Sequence, residues 1–174
     1  MGEIRVQLSE YNSNWEQQYA DEQNRIKEAL GDKAIRIEHI GSTSIKGLEA
    51  KPIIDILVGV PSLEEVVSFI DALSKIDYEY VPKLEFNDRK FFRKGLWGQG
   101  TSHLHICEYN SNEWIEKLLF RDYLRTHPEA ATEYAMLKKQ LATKYSHDRS
   151  TYTKEKEPFI HLIISKAKTV WLKE

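Results

Sequence analysis

The segment 53–60, IIDILVGV, constrains this chain more than any other. It is almost continuously apolar and rich in β-branched side chains, and Pro61-Ser62 stops it. A run of that length and composition predicts a central β-strand, covered on at least one face by helices. Asp55 is the one charge inside it. An ionised carboxylate in mid-strand is costly to bury alone, so Asp55 should face a wet site, a cation or a dedicated hydrogen-bond donor.

The flanking segments change period in a way that supplies the rest of a fold. From Asn14 to Leu30, Trp15, Tyr19, Ile26 and Leu30 recur near helical spacing, and Gly31-Asp32 ends the run. Segment 34–40 alternates, with Ile35, Ile37 and His39 on one side, and meets Gly41, which predicts a strand. A helix is expected over 63–75. The stretch 78–108 reads as strands again, with a turn at Gly98-Gln99-Gly100. Segments 113–125, 128–145 and 153–171 are helical in period, with Pro128 and Pro158 placed near helix starts, where a missing N–H costs little. The expected class is α+β, a mixed sheet with helices packed on it and a helical C-terminal third. No repeat, low-complexity tract or Gly/Ser linker marks a boundary, so 1–174 reads as a single domain.

Composition narrows the partners. With 25 basic and 27 acidic residues in 174, the net charge is −2, which offers no case for DNA or RNA as a partner through a whole-protein basic field. No apolar run is long enough to span a bilayer, and the start of the chain lacks the apolar region of a secretory signal. The single Cys107 cannot form an internal disulfide and fits a reducing compartment. These features predict a cytoplasmic protein with no membrane contact.

Three groups of residues carry chemistry. In HIGSTS, Gly41 allows a close backbone approach after a strand, while Ser42 and Thr43 can cap a helical turn or hydrogen-bond a phosphate. Asp55 follows on the next strand as a metal ligand beside that cradle. In HLHICE, His103 and His105 share one strand face; next to Asp55 they would complete a set suited to Zn²⁺, Mn²⁺ or Fe²⁺, or His105 would carry protons near neutral pH. In DRKFFRKG, alternation puts Arg89, Phe91 and Arg93 on one face and Lys90, Phe92 and Lys94 on the other, and with Lys51 these cations offer contacts to phosphate. Arg121, Arg125, Lys154 and Lys156 are further basic residues that the spacing does not place.

HIGSTSIKGLEAKPIIDILVGV, followed by HLHI, by WIEKLLFRDYLRTHPEAATEYAMLKKQLA and by YTKEKEPFI, resembles the GrpB family of predicted nucleotidyltransferases, related to a domain fused to some dephospho-CoA kinases. The resemblance runs over nearly the whole chain. It implies a nucleotidyltransferase-like core in which a Gly-Ser after the first strand holds nucleotide phosphates and strand carboxylates hold a divalent metal. Gly41, Ser42 and Asp55 match that pattern. Leu57 departs from it, standing where a second metal carboxylate belongs.

The expected function is therefore binding of a nucleotide or other phosphorylated small molecule with Mg²⁺ or Mn²⁺, or with Zn²⁺. Asp55 and His105 are the catalytic candidates and Asp55, His103 and His105 the metal ligands. Gly41, Ser42, Thr43, Lys51, Arg93 and Lys94 would hold the ligand. Nucleotidyl transfer is one outcome, and a catalytically degenerate binding or accessory module is the other.

Overall fold

A computed structural model describes residues 5–96 and 99–172. Helix α1 (Asn14–Leu30) leads into β1 (Arg36–Ile40), and a single 3₁₀ turn over Ser42–Ser44 precedes β2 (Ile54–Val60). After a short helix α2 (Ile70–Ser74) come β3 (Tyr78–Tyr80), β4 (Arg89–Leu96) and β5 (Gln99–Glu108). Three helices close the chain: α3 (Asn112–Thr126), α4 (Pro128–Lys144) and α5 (Arg149–Leu172). The sheet order is β1-β2-β5-β4-β3, with β2 and β5 parallel and the other pairs antiparallel. The strand expected from IIDILVGV thus lies inside the sheet, between β1 and β5. No helix among the described residues is long and apolar enough to cross a membrane.

The period of two along β2 divides the molecule. Ile54, Ile56, Val58 and Val60 point to one face, where they join Trp15, Ile26 and Leu30 of α1, Leu73 of α2, and Phe92, Leu104 and Ile106 of the neighbouring strands. Full burial of such aliphatic side chains contributes about 1.5–3 kcal/mol each. On the opposite face, Leu57 packs with Ile40 and Cys107 beneath Trp114 of α3. Gly59 is part of that contact, since a Cβ there would lie 3.1 Å from both the Trp114 and Tyr109 rings. Helices α3, α4 and α5 add their own cluster around Leu124, Tyr134 and Ile163.

Three elements differ from the sequence expectation. Over 63–75 the chain forms a 3₁₀ stretch, Leu63–Phe69, before the short α2. Its buried residues explain this, because Val66 and Phe69 are three apart and Phe69 and Leu73 four apart, matching a 3₁₀ turn followed by an α turn. Helix α5 begins at Arg149 rather than near residue 153, so Pro158 lies inside it instead of near its start. Asp148 sets the earlier start, accepting the Thr151 N–H at 3.0 Å as a helix cap does. The turn expected at Gly98-Gln99-Gly100 falls partly outside the described residues; Gln99 and Gly100 already belong to β5.

Candidate functional site

The uncovered part of the second face is a cavity of about 370 Å³ at the start of β2. Its floor follows from strand register. Asp55 of β2 is paired with His103 of β5, and His103 and His105 are in turn paired with Arg93 and Phe91 of β4. Asp55, His103, His105 and Phe91 therefore share a face, as alternation requires. His103 Nδ1 is 3.6 Å from Asp55 Oδ1, and the Phe91 ring lies edge-on to His103 at 5.1 Å.

Gly41 closes one side. Its φ of +72° and ψ of −175° belong to a region that only glycine occupies readily. A Cβ at this position would lie 2.9 Å from the Asp55 Cβ and would collide with Asp55 Oδ2. The turn is anchored from behind. Arg121 donates to Glu38 at 2.7 Å and to the His39 carbonyl at 3.1 Å, and Arg125 donates to the Ser44 carbonyl at 3.1 Å. Thr43 donates its hydroxyl proton to the Ile53 carbonyl at 3.3 Å, so the 2.9 Å contact with His39 Nε2 requires the ring N–H to donate to Thr43 Oγ1. Burial pushes the His39 pKa down to about 4, consistent with a neutral ring.

The walls are cationic. Lys51, Lys83, Arg89, Lys138, Arg149 and Lys156 line the cavity, and Asp55 is the only carboxylate among its lining residues. The Lys51 and Lys156 ammonium groups lie over the Tyr152 ring, 5.2 and 4.7 Å from its centre. Among the described residues neither has a carboxylate within ion-pair reach. Lys138, with 2% of its surface exposed, donates to the Glu49 carbonyl. Burial, then the nearby Lys156 and Lys51, push the Lys138 pKa down to about 7. Burial and Lys51 likewise bring Lys156 to about 8. Burial would raise the Asp55 pKa, but the His103 contact, His105 and Lys51 outweigh it and hold the carboxyl below its ordinary value. Tyr152 Oη, His105 Nδ1 and Arg89 Nε are buried without a hydrogen-bond partner among the described residues. Such groups are costly unless something pairs with them.

Gly41, bridging β1 and β2, adjoins Asp55, and Ser42, Thr43, Lys51, Asp55, His103 and His105 all line the cavity. Thr43 does so with its hydroxyl already engaged. The expectation that His105 titrates near neutrality is corrected: burial brings it to about 3, and it is neutral at physiological pH. Arg93 and Lys94 do not line the cavity. Arg93 shares its face but pairs at 3.4 Å with Glu79 on the neighbouring strand β3. Lys94 points to the opposite face, as strand alternation dictates, and donates to Glu22 of α1 at 2.7 Å. Arg89, from the same strand, does reach the site, stacked 3.6 Å over Phe86, with its guanidinium ion-paired at 3.4 Å to both Asp88 and Glu113.

Lys138, Arg149 and Lys156 also line the cavity, beyond the residues the sequence motifs point to. The signal for Lys138 was a lysine on the apolar face of its own helix, four residues after the buried Tyr134 and three before the buried Leu141. Arg149, Tyr152, Thr153 and Lys156 fall at i, i+3, i+4 and i+7 on α5 and so form one helical stripe. A helix counted only from residue 153 leaves Arg149 and Tyr152 off that stripe.

The donor set was also expected to hold a metal. Among the described residues no group of three or more His, Cys, Asp or Glu is arranged so that it could hold a metal ion. Leu57, at 0% exposure under Trp114, closes the place of a second carboxylate. The residues present do not fit a cation held by the protein alone.

A five-stranded mixed sheet with helices on both faces is a nucleotidyltransferase-like fold. Cid1, whose structure has been solved in complex with the UTP analog UMPNPP, shares that fold at a TM-score of 0.52 and 13% identity, over 78% of this chain and 43% of that one. The chain belongs to the GrpB family, whose profile, described as GrpB protein, matches residues 5–166. It is 38% identical to the glutamate-rich protein GrpB of Alkalihalophilus pseudofirmus, over 92% of this chain and 94% of that protein. The crystal structure of GrpB from Enterococcus faecalis superposes at a TM-score of 0.87 with 38% identity, covering 95% of this chain and 99% of that one. A dephospho-CoA kinase of Mycolicibacterium paratuberculosis is 27% identical over 88% of this chain, which corresponds to 44% of that protein.

Proposed function

We propose that the cavity binds the phosphates of a nucleotide or another phosphorylated small molecule. One observation carries this reading: five cationic side chains from β2's approach, β4's approach, α4 and α5, together with Arg89 of β4, which Asp88 and Glu113 already pair at 3.4 Å, converge on a cavity lined by a single carboxylate. Burying like charges together opposes folding unless an anion compensates them. Ser42 and the Tyr152 hydroxyl add uncharged donors to the charge-assisted bonds that lysine and arginine make to phosphate. The volume of about 370 Å³ lies at the lower end of small-molecule sites.

Within this reading the protein is a binding or accessory module rather than a transferase. In-line phosphoryl transfer by two cations needs carboxylates that bridge them, and Leu57 supplies none. Leu57 is buried in an apolar cluster, so a carboxylate there would be an unpaired core charge rather than a restored ligand. No step is assigned to a metal. Calorimetric titration with ATP, UTP and coenzyme A fragments tests the binding, and pyrophosphate release with Mg²⁺ or Mn²⁺ tests the chemistry. Binding without pyrophosphate release is the expected result. Absence of binding to every phosphorylated ligand removes the reading, and robust turnover removes the module half of it.

A further inference from the structure

The charge of a bound phosphate chain has to be met by something, and in this cavity lysines are placed to meet it. Lys51 comes from the loop before β2, Lys138 from α4 and Lys156 from α5. Lys51 and Lys156 flank the Tyr152 ring at 5.2 and 4.7 Å, and Tyr152 Oη is buried with no partner among the described residues. Lys138 is almost wholly enclosed and keeps only a backbone carbonyl as its hydrogen-bond partner. An ammonium carries three donors, so each lysine retains the capacity to bond a ligand. The acidic side is sparse: Asp55 stands alone, and the next position on its face is Leu57, sealed by Trp114.

We propose that the cavity takes a linear polyphosphate as the metal-free anion, with Lys51, Lys138 and Lys156 providing the neutralisation that a divalent cation provides elsewhere. This rests on the reading of the cavity as a phosphate site. A cation entering with the phosphates would join Lys51, Lys83, Lys138, Arg149 and Lys156, beside an Arg89 already paired with Asp88 and Glu113, and find one carboxylate lining the cavity. A fully ionised phosphate chain meets the opposite balance. Asp55 then acts as a repulsive boundary that sets where the chain ends, with Gly41 pressed against it to fix its position.

The test is calorimetric titration of the intact protein with inorganic tripolyphosphate and, separately, with ATP, each in excess EDTA and in excess Mg²⁺. Binding in EDTA at least as tight as in Mg²⁺ is expected. Tripolyphosphate and ATP binding alike would assign recognition to the phosphates, whereas ATP binding alone would add the nucleoside as a required part. Lys138→Met and Lys156→Met should each weaken binding in EDTA by about tenfold or more, the usual effect of losing a charged hydrogen bond. Asp55→Asn is the sign test, because it should tighten binding in EDTA if the carboxylate repels the ligand, and weaken binding in Mg²⁺ if the carboxylate holds a cation. Thermal melts confirm that each variant is folded. Binding that appears only with Mg²⁺ and is lost in Asp55→Asn overturns the proposal while leaving the phosphate site intact. No binding of either ligand under either condition overturns the phosphate site itself.

Discussion

The two faces of the sheet treat buried charge in opposite ways. On the α1 face, Glu22, Lys94, Tyr78 and Arg25 form a closed set: Glu22 accepts from Lys94 at 2.7 Å and Arg25 at 3.3 Å through one oxygen and from the Tyr78 hydroxyl at 2.7 Å through the other. On the α3–α5 face, Lys51, Lys138 and Lys156 share one cavity with Asp55 and have no carboxylate within ion-pair reach among the described residues. Both regions place ionic heads out of water. The first is complete within the protein, which makes it structural, and the second leaves charge to be completed by a ligand. This difference, rather than the number of basic residues, separates Lys94 from the site.

Breaking the closed set should have the largest effect on stability. Glu22→Gln strands the Lys94 charge in a partly buried place and should lower unfolding free energy by about 3 kcal/mol, read by urea denaturation. Phosphate binding should be unchanged. Gly41→Ala attacks the wall of the open set and should cost about 2 kcal/mol, because a Cβ is strained at that φ and collides with Asp55. A crystal structure of this variant should show the Asp55 side chain displaced. Lys138→Met should act with the opposite sign, raising stability by about 1 kcal/mol as a buried charge is replaced by an apolar side chain of similar length. The same variant loses phosphate affinity, a pairing of effects that no residue of the Glu22 set should show.

A smaller and graded effect separates the two kinds of site by pH. The folded-state pKa of Lys138 is lowered to about 7 from an ordinary 10.5. The destabilisation from its buried charge is complete below about 7 and is relieved as pH rises toward 10.5, where the unfolded chain still holds the proton. Phosphate affinity should run the other way, falling from about pH 7 upward as Lys138 and then Lys156, at about 8, lose their protons. His39 and His105, lowered to about 4 and about 3 from 6.5, give the acid limb. Their contribution is present above pH 6.5 and is lost as pH falls through those folded values. Melting temperature and tripolyphosphate affinity, both followed from pH 4 to 10, check these signs.

Much of this was legible residue by residue. The strand at 53–60, the shared face of His103 and His105 and the family of the chain all follow from local patterns, because strand period and turn chemistry are encoded over a few positions, whereas the parallel pairing that sets His103 beside Asp55 does not. Within DRKFFRKG, alternation separated Arg93 from Lys94 but left open which face was wet. That choice depended on α1 supplying Glu22 to Lys94 and β3 supplying Glu79 to Arg93. Helical spacing puts Lys138 on an apolar face and Arg149 on a stripe with Tyr152, but a lysine or arginine in a helix is usually solvated, and only the packing of that helix brings these two into the cavity.

By itself the sequence determined the apolar face of β2 and the glycine turn that follows β1, and its family resemblance marked Leu57 as a departure from the expected carboxylate. The tertiary structure alone decided which cations share a cavity and which are already neutralised. Hydrophobic period is a property of neighbouring residues, whereas the charge left over in a cavity depends on side chains brought together from across the whole chain.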